Sequence, residues 1–106
     1  MIGDASATTQ PKAGHIANQE AKVCADAITR AFAGLPPYPS PVTNSACFSP
    51  ITQDTASWLT VVYGYDALSR TMKPVGGAAT EARSATKDNY EDMFKWFSAL
   101  ITETFT

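Results

Sequence analysis

The chain holds 106 residues, 44% of them hydrophobic, and carries a formal net charge of −2 at pH 7. That is length for one core of a size that buries only about 60 to 70% of the surface its unfolded chain exposes. Lys and Arg are scattered singly, which excludes a basic stripe for nucleic acid or an anionic membrane surface. The apolar runs are too short to span a bilayer, and the first residues lack the order of a secretory signal, so no membrane segment is expected.

The first feature in chain order is Ile2-Gly3-Asp4-Ala5. Gly-Asp after an apolar residue suits a strand terminus beside a ligand, where glycine admits close approach and the carboxylate accepts hydroxyl hydrogen bonds; it also suits an ordinary turn. From Ile16 to Phe32 the residues Val23, Cys24, Ala27, Ile28, Ala31 and Phe32 recur at helical spacing, and Gly34 with Pro36-Pro37 supplies the stop. Leu35 to Pro41 contains four prolines in seven residues and predicts an extended surface crossover.

Ala46 to Ser49 and Ser57 to Tyr65 carry strand-forming residues, with a third strand expected near Arg70 to Val75. Gly64 to Ser69 suits the hairpin between the last two, and Gly76 to Lys87 reads as a polar loop. Asp88 to Phe105 predicts a second helix with the stripe Tyr90, Met93, Phe94, Phe97, Leu100, Ile101 and Phe105, capped by Asp88 with Glu91 completing a capping box. The expected fold class is α+β: an N-terminal helix, a small antiparallel sheet of about three strands and a C-terminal helix.

Cys24 and Cys47 stand 23 residues apart, which matches no zinc or thioredoxin-type spacing, so no metal ligand set is expected. Cys24 sits on an apolar stripe as a small hydrophobe, while Cys47 lies beside Asn44 and Ser45; pairing with each other or burial are both open. His15 is the only histidine, and with Cys47 it would make the thiol and base of a hydrolase, against the plainer reading of a surface histidine. Glu20, Glu81, Glu91 and Asp92 are expected to be solvated charges. Trp58 and Trp96 suit packing, although Trp96 falls just off the main helical stripe and could face a ligand or partner.

The run Ile2-Gly3-Asp4-Ala5-Ser6, Pro11-Lys12-Ala13-Gly14, Ala17-Asn18 and Ala21-Lys22-Val23-Cys24-Ala25 resembles the C-terminal part of flavocytochrome c sulfide dehydrogenase flavoproteins. Asn44-Ser45-Ala46-Cys47-Phe48-Ser49 is similar to the family's Asn-Thr-Cys-Tyr-Ser segment with one extra residue, and the resemblance resumes at Val61-Val62-Tyr63, Trp96-Phe97 and Thr104-Phe105. It implies that Gly3 and Asp4 approach the ribityl chain of FAD, and that Lys12, Gly14 and Asn18 belong to the segment delivering a helix N-terminus to the flavin ring. It further implies that Cys47 is one half of a redox disulfide whose other cysteine lies upstream, and that Trp96 lies near the flavin toward a c-type cytochrome partner. His15 and Ile16 replace the family's usual Tyr-Ser, and Glu20 stands where glutamine is common.

The chain contains no Gly-x-Gly-x-x-Gly fingerprint for the FAD pyrophosphate. The resemblance therefore implies that residues 1–34 are the tail of an FAD-binding domain and residues 35–106 an interface or dimerisation-like domain, with the nucleotide-binding parts encoded ahead of residue 1. The expected function is the flavin-adjacent region of an oxidoreductase that passes electrons from sulfide to a c-type cytochrome, inactive and weak in FAD binding as this piece alone, in a periplasmic setting. An interaction module without redox activity is the alternative. An apolar helix face normally covered by other domains would favour self-association.

Overall fold

The computed structural model describes residues 1–77 and 79–106; Ala78, within the stretch read as a polar loop, lies outside the described residues. A single 3-10 turn (Gly3–Ala5) precedes α1 (Gly14–Phe32), β1 (Val42–Pro50), β2 (Ala56–Asp66), β3 (Thr71–Pro74), β4 (Thr80–Glu81) and α2 (Lys87–Phe105). The class is α+β, with four strands where about three were expected.

β2, rich in β-branched and aromatic residues, is the hub of the sheet. β1 pairs antiparallel along it from Val42 opposite Gly64 to Pro50 opposite Ala56. On its other side β3 pairs from Tyr63 opposite Pro74 to Asp66 opposite Thr71, and β4 pairs Leu59 with Glu81 and Thr60 with Thr80. Two corrections to the sequence reading have one cause. Thr43, Asn44 and Ser45, outside the strand expected over Ala46 to Ser49, are strand as well, because the long β2 offers each a ladder partner. Thr80 and Glu81 join the sheet from the polar loop for the same reason, helped by a 2.7 Å hydrogen bond between the hydroxyls of Thr60 and Thr80.

The helix ends follow from local chemistry. At the close of α1, Gly34 takes φ +71°, and the Leu35 and Gly34 N–H groups donate to the Arg30 and Ala31 carbonyls at 2.9 and 3.2 Å, a Schellman stop. α2 is capped by Thr86, whose hydroxyl accepts the Asn89 N–H at 3.0 Å, and Asp88 lies inside the first turn instead of capping it. Thr86 takes that role because Ala56 holds its backbone extended, each residue's N–H donating to the other's carbonyl at 3.0 Å. In the turn joining β2 to β3, Asp66 accepts from Ser69 Oγ at 2.7 Å and pairs with Lys73 at 2.8 Å. These two bonds, Lys73 first, hold its carboxyl down at about 2.

Gly3 and Asp4 lie in the 3-10 turn, with no strand beside them among the described residues. Gly3 sits at φ +71°, and its carbonyl accepts both the Ser6 N–H (3.0 Å) and the Ser6 hydroxyl (2.7 Å).

Burial is sparse. Ile16, Ala56 and Tyr63 form the buried apolar centre. The radius of gyration is 15.8 Å, against about 13 Å for a compact domain of this length. The accessible surface is 7360 Å², against about 5,700 Å² for a compact monomer of this mass. Part of the excess lies on the helices: the stripe of α1 is open at Ile28 and Phe32 (90% exposed), Cys24 is only half-buried, and α2 turns Phe94, Phe97, Ile101 and Phe105 outward. The periodicity correctly marked apolar faces, but the described residues cover only part of each.

Candidate functional site around Cys47

The site grows from the start of α1. Its N-cap is Ala13, extended at φ −152°, with no side chain able to accept a hydrogen bond, so the first amides of the helix carry no side-chain cap. One residue into the helix, His15 reaches the open edge of β1, where its Nδ1 accepts the Ala46 N–H at 2.9 Å. Nδ1 must then hold a lone pair, which places the ring proton on Nε2. The helix N-terminus is thereby fixed against the strand that carries Cys47.

α2 closes this arrangement from a second direction. The Trp96 ring meets His15 edge to face, centroids 5.5 Å apart at 85°, and lies 5.5 Å from the Phe48 ring at 44°. Trp96 is half-buried in this cluster, so packing is its observed contact. Burial holds the His15 pKa below 6.5; the charge of Lys22 adds to the effect and that of Glu103 opposes it. Those two ions bridge α1 and α2 at 2.5 Å.

Cys47 is exposed, its sulfur 3.9 Å from the Phe48 carbonyl oxygen, at the edge of a shallow cleft of about 300 Å³ lined also by Ala46, Phe48, Trp58, Thr60 and Asp92. Neither Cys24 nor Cys47 is disulfide-bonded, so the two do not pair with each other. The thiol and base of a hydrolase are not assembled, because the accepting nitrogen of His15 is committed to a backbone amide and not to Cys47. His15 is correspondingly no bland surface residue.

The remaining predicted residues fall in two places. Gly3, Asp4 and Lys12 gather on the flank of α1: Lys12 Nζ donates to the Asp4 carbonyl at 2.7 Å, while the Asp4 side chain stays exposed. Gly14 opens the helix beside the site. Asn18 turns to α2, where its Nδ2 donates to Thr104 Oγ1 at 3.3 Å and its buried Oδ1 has no partner.

Glu20 is the residue the sequence reading missed. Far from a solvated charge, its carboxylate accepts the Gly3 N–H at 2.7 Å, Gln10 Nε2 at 3.1 Å and Thr8 Oγ1 at 3.4 Å, lashing the N-terminal segment to α1. Gln10 in turn is buried and accepts from the Thr43 hydroxyl, which ties the segment to the sheet. The one available signal was that an acidic residue stands where the resembling family favours glutamine.

Residues 39–105 match the family model described as flavocytochrome c sulphide dehydrogenase, flavin-binding. The chain belongs to this family. The match runs from the crossover through the whole sheet to the end of α2 and takes in Cys47 and Trp96, whereas Gly3, Asp4, Lys12, Gly14 and Asn18 precede it. No curated protein matches the chain. A flavin suits what the site offers: amides without a side-chain cap at the head of α1, next to an exposed thiol, favour an electron-rich ring edge. Among the described residues no group of three or more His, Cys, Asp or Glu could hold a metal, and no helix is long and apolar enough to cross a membrane.

Proposed function

We propose that the chain forms one wall of the FAD site of a sulfide-oxidising flavoprotein, with Cys47 as the reactive sulfur. The observation that carries this reading is the bond from the Ala46 N–H to His15, which sets the head of α1 beside Cys47 in a member of a flavin-binding family. FAD, when bound, supplies a two-electron acceptor able to release electrons singly. The amides opening α1 at Gly14 would orient its electron-rich edge and stabilise negative charge there, with Lys12 adding a cation on the same segment. Cys47, exposed and unbonded here, would be half of a redox disulfide completed by a cysteine elsewhere in the flavoprotein, open to attack by a sulfur nucleophile. Gly3 and Asp4 would approach the cofactor's polyol chain, with Glu20 holding their turn in place.

The rest of the FAD pocket and a c-type cytochrome that accepts electrons would come from other polypeptide, in a periplasmic setting. The open apolar faces of α1 and α2 support the view that further protein covers this chain. The same faces favour the second reading, an interaction module without redox activity.

The test is Cys47→Ser in the intact flavoprotein. Flavin should remain bound while sulfide no longer bleaches its visible absorbance. Bleaching by sulfide at the unmodified rate would reject Cys47 as the reactive sulfur, and an intact flavoprotein that binds no flavin would favour the interaction module.

A further inference from the structure

We propose that His15 is the positioning residue for Cys47: its neutral ring clamps β1 on both sides of the sulfur, and protonation frees the Ala46 edge of the strand. The inference rests on the reading of Cys47 as the reactive thiol.

Two contacts make the clamp. On the N-terminal side of Cys47, the Ala46 N–H points to the unpaired edge of β1 and is accepted by His15 Nδ1 at 2.9 Å. On the C-terminal side, the Phe48 ring packs on Trp96, which itself packs on the His15 ring. The residues before and after the sulfur are thus anchored to one half-buried imidazole. An imidazolium has no lone pair at Nδ1 and would set a donor against the Ala46 donor, so protonation removes the first anchor. The charged groups acting on the ring are Lys22 from α1 and Glu103 from α2, joined in a salt bridge.

The sign of the pH dependence follows. Burial lowers the His15 pKa below 6.5, so the clamp is fully formed above that value and is lost as pH falls through the lowered folded-state pKa.

Two readouts on the full chain, both without flavin, test the clamp. The exchange protection of the Ala46 amide should fall roughly fivefold as the solution is acidified through the histidine titration, the factor expected for one hydrogen bond. Alkylation of Cys47 by iodoacetamide, followed on its own peptide by mass and so separated from Cys24, should show an inflection over the same range. His15→Asn places an amide oxygen close to where Nδ1 stands and does not titrate; it should keep the neutral-pH protection and lose both pH steps. His15→Phe should behave at all pH values as the wild type does in acid. Should His15→Phe fail to fold, the wild type and His15→Asn still decide. Superimposable wild-type and His15→Asn pH curves, or Ala46 protection indifferent to pH, would overturn the proposal. Because neither measurement involves flavin or sulfide, that failure would leave the flavin reading standing, whereas an active Cys47→Ser flavoprotein would reject Cys47 as the reactive sulfur without altering the pH response of the Ala46 amide.

Discussion

Removing the Glu20 carboxylate should free the N-terminal segment in two graded steps. In Glu20→Ala both close bonds vanish, from the Gly3 N–H at 2.7 Å and from Gln10 Nε2 at 3.1 Å, while the 3.4 Å contact to Thr8 contributes little at that length. Hydrogen bonds to a charged acceptor are worth about 1.5 to 3 kcal/mol each. The site is part-buried, so the lower figure applies and the two together come to about 3 kcal/mol, a roughly hundredfold rise in segment opening. Glu20→Gln retains one carbonyl oxygen but turns an NH₂ toward one of the two donors, losing one bond: about 1.5 kcal/mol, or roughly tenfold. The Gly3 amide reports this directly by hydrogen exchange, with susceptibility of residues 1–10 to limited proteolysis as a second measure. The expected order of protection is wild type, then Glu20→Gln, then Glu20→Ala. Equal protection in all three would show that the segment is held by Gln10 and Thr43, not by the carboxylate.

Thr86→Ala should lower stability by about 1 kcal/mol through loss of the α2 cap, read from the urea midpoint, and Asp88→Ala should cost less; the reverse order would restore Asp88 as the cap. Asp66 should titrate at about 2 in the folded protein, so its hold on the β2–β3 turn is complete above the usual 3.8 and fades as pH falls through about 2. Lys73→Ala should move that midpoint upward, as followed by the NMR shift of the carboxyl carbon, and a wild-type midpoint near 3.8 would refute the pairing.

How much of this was legible depended on the range of the interaction. Gly34 announced the end of α1 because a left-handed residue before two prolines is a local stop, and it adopts that conformation at φ +71°. Cys47 and Trp96 could be singled out from residue type and neighbouring motif. That His15 would be their link could not, since its partner Ala46 lies 31 residues away and is a backbone amide with no sequence signature. Glu20 escaped notice for the same reason: its donors are the Gly3 amide and the side chains of Thr8 and Gln10, brought to it only when the segment folds back on α1.

The sequence by itself determined the two helices, their apolar faces and the strands of highest β propensity, because side-chain periodicity and backbone preference act within a few residues. Tertiary structure decided that Thr43 to Ser45 extend β1, that Thr80 and Glu81 form β4, that Thr86 caps α2 and that His15 meets the edge beside Cys47. In each case a backbone group unsatisfied by its own segment took whatever partner the assembled sheet and helices put within hydrogen-bonding reach.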